Sequence, residues 1–196
     1  MKKILFAALC VLTLAGCTQQ PKTMENQVIN NILTRVSVRQ FTGEPVTQAQ
    51  VDTLLRAAMA APSAVNKQPW AFIVITDKAI IDRIGAELPN TRCQNNAPLA
   101  IVLCGDTDKA LEGEGRDFWV QDVAAATENL LLAAHSMGLG AVWTGMHPTQ
   151  RAGVVQQMLG LPENIIPLAI VPVGYPAEQP AVKEKYNEAN IHYNQW

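Results

Sequence analysis

The chain has 196 residues, 48% of them hydrophobic and 16% charged, with a formal net charge of −2, which is the balance of a globular protein and not of a disordered or fibrous one. A mildly acidic chain with no basic run excludes nucleic acid as a partner. The length suits one domain.

At the N-terminus Lys2 and Lys3 precede an apolar run, Ile4 to Leu14, that is too short to span a bilayer and is followed by small residues, as in a secretory signal. The run closes Leu14-Ala15-Gly16-Cys17, which resembles a bacterial lipobox. Residues 1–16 are therefore read as a signal peptide, 17–25 as the lipidated Cys17 with a polar tether, and 26–196 as the domain. Losing residues 1–16 removes two lysines and no acid, which takes the net charge from −2 to −4. The expected location is extracytoplasmic, on a bacterial membrane, with the lipid as the only membrane contact. Cys10 leaves with the signal, so Cys93 and Cys104 remain; neither lies in a CxxC or near a histidine, and a disulfide between them stays open.

Val28, Ile29, Ile32, Leu33 and Val36 recur at helical spacing and predict a first helix ending near Val36. Thr47 with Gln50 makes a capping box, and Val46 with Val51 a hydrophobic staple, for a second helix that ends before Pro62. Trp70 to Thr76 reads as a strand, and Asp77 caps a third helix to about Leu88. A strand follows at Pro98 to Cys104, then a loop with two glycines, then a long helix from Phe118 to Met137 with few charges, expected to be buried on most sides. Ala141 to Gly145 is a short strand, Thr149 to Leu159 a helix stopped by Gly160, and Ile165 to Gly174 the last apolar run. The polar tail from Pro176 ends in "IHYNQW", whose apolar side chains need a surface to lie against. Alternating helices and strands predict a three-layer α/β or α+β sandwich.

No GxxxxGK[ST] or GxGxxG loop is present, and His135, His147 and His192 form no HExxH or triad pattern, so nucleotide-binding and hydrolytic motifs are absent. Arg35, Ser37 and Arg39 alternate in "RVSVRQF", so in an extended stretch they share a side and suit a phosphate; a solvated basic patch at a helix end is the plainer alternative. In "APSAVNKQPW", Ser63, Asn66 and Gln68 place donors and acceptors on a backbone stiffened by prolines, which suits the edges of a planar heterocycle as well as a simple turn into the strand.

Together, "RVSVRQF", "APSAVNKQPWAF", "WVQDVAAATENLLLAAHSMGLG" running into "AVWTG", "LGLPE", "PVGYP" and "KEKYNEANIHYNQW" resemble, in this order and spacing, the FMN-dependent nitroreductase family over residues 28–196. The resemblance implies an α+β, nitroreductase-like three-layer sandwich with a central mixed sheet flanked by helices, and a homodimer whose C-terminal tails wrap the partner subunit around two interfacial FMN sites. It places Arg35 and Ser37 on the FMN phosphate and Arg39 near the N1 and O2 edge of the flavin as an electrostatic stabiliser. It places Pro62, Ser63 and Asn66 on the partner's flavin, with Gln68 supporting the loop. Trp143, Thr144 and Gly145 match the strand end beside the ring system, with a backbone N–H toward N5. Where the family shows a basic residue, often arginine, near the tail, this chain has Lys183 and Lys185; Lys185 keeps the charge without the arginine fork.

The implied activity is ping-pong transfer of electrons from NAD(P)H through FMN to nitroaromatic, quinone or similar small-molecule acceptors, with the chemistry on the flavin and no metal. The short loop from Asp106 to Arg116, with Gly113 and Gly115, predicts an open and permissive acceptor site. Two alternatives stand beside it: the same fold and cofactor serving another redox reaction, and a lipid-anchored protein that binds a flavin or other solute without turnover.

Overall fold

A computed structural model describes residues 26–93 and 95–196. The expected signal peptide, Cys17 and tether lie outside the described residues. Among the described residues are five α-helices and five strands, in chain order α1 (Gln27–Thr34), α2 (Gln48–Met59), β1 (Trp70–Ile75), α3 (Lys78–Glu87), β2 (Leu99–Asp106), α4 (Phe118–Ser136), β3 (Gly140–Ala141), β4 (Thr144–Gly145), α5 (Arg151–Leu159) and β5 (Ile165–Gly174).

Local chemistry accounts for the helix boundaries. The Asn26 and Asp77 side chains accept from the first free N–H groups of α1 and α3, and Thr47 and Gln50 form the reciprocal capping box of α2. Gly160 ends α5 in the left-handed region, where a glycine carries no Cβ penalty. α1 stops two residues short of the expected Val36: Arg35 already has extended ψ. The reason is tertiary, because the next residues are needed along the edge of the sheet.

The strands run in the order β1-β2-β5-β3, with β4 also on β5. β3 and β4 share one register along β5, as one edge broken at Val142 and Trp143. Successive residues of β2 point to opposite faces. Leu99, Ile101 and Leu103 join α2 and α4 in one core, while Ala100, Val102 and Cys104 join Ile81 and Ile84 of α3 and Val155 of α5 in the other. The result is the three-layer α+β sandwich, with each fully buried Leu or Ile contributing roughly 1.5–3 kcal/mol.

One expectation is corrected here. Every strand pairing among the described residues is antiparallel, where a mixed sheet was expected. The chain leaves β1 at Ile75 and, after α3 and the turn behind it, re-enters opposite that same residue at Ala100. Helix and strand alternation carries no sign of which end the chain re-enters. The open question of the disulfide also closes, since Cys93 and Cys104 are both free and buried. Burial pushes their thiols up to about 11 and about 12, with a Thr91 hydrogen bond partly opposing the shift at Cys93.

Candidate functional site

Residues 35–39 run extended along the sheet edge, and two contacts hold them there. Val38 donates its N–H to the Ala141 carbonyl at 3.1 Å, and its side chain sits directly over Gly140, where an added Cβ would come within 2.6 Å of it. Val38 is buried, so its neighbours in the alternation, Ser37 and Arg39, are turned outward. Asn95 fastens the far end, accepting the Phe41 N–H at 3.1 Å and donating its amide to the Arg39 carbonyl at 2.7 Å.

The tail arrives beside this segment by backbone pairing. Thr42 donates to Tyr175, Ala177 donates to Gln40, and Phe41 bridges Pro176. Continuing from there, the tail closes a cleft of about 150 Å³ lined by Arg35, Ser37, Arg39, Lys183 and Lys185, with Val36, Pro180 and Ala181. That is room for roughly five waters. Four cations and a hydroxyl face this space and no acid lines it, so it suits a phosphoryl group. From α4, Glu128 pairs with Arg35 Nε at 3.3 Å. Arg39 Nη1 donates to the Ser37 carbonyl at 3.3 Å.

His135, about two turns further along α4, bonds Thr34 Oγ1 through Nε2 at 3.0 Å. Because that hydroxyl already donates to the Asn30 carbonyl at 2.7 Å, the hydrogen-bond network assigns the ring proton to Nε2. Burial, and then the charge of Arg35, hold its pKa below the usual histidine range.

The Pro62–Gln68 loop lies elsewhere. Val65, Asn66 and Gln68 have φ of 50°, 54° and 50°, left-handed values that cost about 1–3 kcal/mol each for residues other than glycine. The Gln68 N–H donates to Ser63 Oγ at 2.9 Å, the Gln68 amide donates to Asn66 Oδ1 at 3.2 Å, and the Ala64 N–H donates to Asp122 Oδ1 at 2.8 Å. Asn66 and Gln68 stay exposed. Pro62 and Ser63 line an open cleft of about 390 Å³ against Phe118, Gln121 and Asp122 of α4. Trp143 packs half-buried on the core; Thr144 is buried, and its hydroxyl donates to the Asn90 carbonyl at 3.3 Å. Gly145 is exposed, with open space where a Cβ would project.

Within one chain, then, the expected residues fall in three places. Arg35, Ser37, Arg39, Lys183 and Lys185 share one cleft; the Pro62–Gln68 loop and the Trp143–Gly145 edge are not part of it. The sequence reading missed Asn95, Glu128 and Asp122. The signal that could have found the two acids is their place as isolated carboxyls in the apolar run "WVQDVAAATENLLLAAH".

A family model described as the nitroreductase family matches residues 32–91 and 86–175. A Methanothermobacter thermautotrophicus protein, provisionally named NADH dehydrogenase/NAD(P)H nitroreductase, is 38% identical over 89% of this chain and 91% of its own length. A Parabacteroides distasonis crystal structure with the same provisional name superposes with a TM-score of 0.82 at 46% identity, covering 88% of this chain and 100% of that one. The Vibrio harveyi NADPH:FMN oxidoreductase complexed with NAD+ superposes with a TM-score of 0.78 at 31% identity, over 87% of this chain and 78% of that one.

Proposed function

The chain belongs to the nitroreductase family, and from that premise we propose that it is an NAD(P)H-dependent flavin oxidoreductase that holds FMN and reduces nitroaromatics, quinones or similar acceptors. The observation that carries the reading is the convergence of Arg35, Ser37, Arg39, Lys183 and Lys185 on one phosphate-sized cleft. FMN bound there would supply the hydride- and electron-transfer chemistry. The chain's own residues bind, orient and stabilise. Arg35 and Ser37 hold the phosphate with the two tail lysines, and Arg39 provides a fixed positive charge toward the ring. Pro62, Ser63 and Asn66 face the flavin of the partner, with Gln68 bracing the loop through its bond to Asn66 Oδ1, and Gly145 leaves room beside its own.

This division makes the working unit a homodimer. The reading is supported by the separation of the loop from the cationic cleft, and by apolar side chains left in water: Val28 and Leu33 of α1 are 67% and 66% exposed, and Trp196 is 99% exposed. Donor and acceptor use one slot in turn, giving ping-pong kinetics. The shortness of the Asp106–Arg116 loop, with Gly113 and Gly115, supports broad acceptor use. The lipobox at Cys17 supports export and anchoring; mass spectrometry of the mature N-terminus from a Gram-negative or Gram-positive host tests it, and an unmodified Cys17 contradicts it.

The test of the activity uses the protein from residue 18 onward. Its visible spectrum is recorded, and NADH or NADPH is added without oxygen. A yellow protein that bleaches and recolours with a quinone or nitroaromatic is expected. A yellow protein that stays oxidised favours anchored flavin binding without turnover, and a colourless one that takes up no FMN removes the site assignment.

A further inference from the structure

Three left-handed residues within four positions need something to hold them, and the hydrogen bonds of the loop after α2 are mostly its own. Asn66 donates to the Ser63 carbonyl, Lys67 to Ala64, Gln68 to Ser63 Oγ and to Asn66 Oδ1, and Trp70 to Gln68. Among the described residues, two bonds reach it from outside. Asp106 donates its N–H to the Pro69 carbonyl, where the loop has already become β1, and the Ala64 N–H donates to Asp122 Oδ1 at 2.8 Å. Asp122 is only 7% exposed and stands on α4 between the buried Trp119 and Val123. Among the described residues this polar side chain in an apolar setting has one hydrogen bond, and that bond enters the strained turn at its first residue.

We propose that Asp122 is a positioning residue for the flavin-facing loop: by fixing Ala64 it holds the turn that presents Asn66, which Gln68 braces. The proposal rests on the FMN reading above and deepens it. Six residues along, about 9 Å of helix, Glu128 holds Arg35 of the phosphate cleft. One rigid helix thereby sets the place of both the ring-facing loop and a phosphate-facing arginine, and a site carried on a helix is held more accurately than one left to loops.

The two ends separate by experiment. Asp122 acts on the ring end, so its loss affects FMN and riboflavin alike, since riboflavin is the flavin without the phosphate. Dissociation constants for both are measured by flavin fluorescence on the mature chain, with far-UV circular dichroism as the check on folding. Asp122→Ala should weaken both flavins about tenfold with their ratio unchanged, and Asp122→Asn, which keeps an acceptor oxygen, should return both to near the wild-type value. If the alanine variant does not fold, Asp122→Ser, whose oxygen is one bond short of Ala64, carries the same comparison.

A second variant tests the route. Ala64 opens a 3-10 turn and follows Ser63 at φ −141° and ψ 155°, so Ala64→Pro fits the backbone while removing the donor. In that background Asp122→Ala should leave flavin affinity unchanged. Folded Asp122 variants with unaltered affinities, a loss confined to FMN, or a further fall in the proline background each overturn the proposal. A wild-type chain that binds neither flavin overturns the FMN reading first, and this proposal with it.

Discussion

Arg39 is an exposed side chain whose freedom is limited at both ends: its guanidinium bonds the Ser37 carbonyl, and its own carbonyl is held by Asn95. A charge fixed before the reaction stabilises developing negative charge at no cost in reorganisation. Arg39→Ala is therefore expected to slow flavin reduction by NADH by about 10²-fold in stopped-flow traces, while raising the FMN dissociation constant far less. An equal loss of both would show an ordinary binding residue. Asp106 makes a different residue-scale prediction. Burial favours its neutral form, but the Lys109 ammonium, the Asn164 amide and the Asp108 N–H together outweigh burial and hold its carboxyl below the usual 3.8. A group with a depressed native pKa stabilises the fold in full above the unfolded value and loses that contribution as pH falls through the native one. The urea-midpoint advantage of wild type over Asp106→Asn should shrink between about pH 5 and pH 3; an advantage independent of pH would assign Asp106 a role in shape and not in charge.

At the scale of elements, the extended 35–39 segment shows what a sequence reveals and what it withholds. The alternation in "RVSVRQF" disclosed that Arg35, Ser37 and Arg39 share a side, because period 2 is local. It did not disclose the partner that straightens the chain, because Ala141 and Gly140 lie a hundred residues away and the α1 periodicity ran on through Val36. In the same way β2 was legible as a strand and β5 as an apolar run, whereas the antiparallel re-entry of β2 beside β1 depended on the path of α3 and its following turn. Asp122 and Glu128 escaped notice for a related reason: a helix's chemistry-bearing side chains gain meaning only from what packs opposite. Gly140 is the test of this docking. A methyl there would meet Val38 at 2.6 Å, against the body of a β-branched side chain with little freedom to move. Gly140→Ala should cost roughly 1–3 kcal/mol in denaturant unfolding and weaken FMN more than riboflavin, because it displaces the phosphate-facing strand. Unchanged stability would mean that the sheet edge holds residues 35–39 only loosely.

At the scale of the whole molecule the tail decides how many chains make a site. Its apolar ending was readable in the sequence as a segment that needs a surface, and in the single chain that need is unmet: Tyr193 is 82% exposed and Trp196, stacked on His192, is 99% exposed. Its first half meanwhile supplies Lys183 and Lys185 to the cationic cleft. In the proposed dimer, one segment thus serves two purposes, closing its own chain's phosphate cleft and covering the partner. Without an anion in the cleft, four cations face one another, with Glu128 pairing only Arg35, so their mutual repulsion works against tail closure. A bound phosphate reverses the sign of that balance. Ending the chain at Val182 should accordingly weaken FMN at least tenfold, shift the sedimenting species from dimer toward monomer, and weaken riboflavin less than FMN, since riboflavin loses only the partner's loop and not the phosphate contacts. Raising the salt concentration should imitate the first effect in the full-length chain, since exposed charges are screened over about 10 Å at 0.1 M. A truncated chain that stays dimeric and keeps its FMN would separate the tail from both roles and leave Arg35 and Ser37 as the whole of the phosphate site.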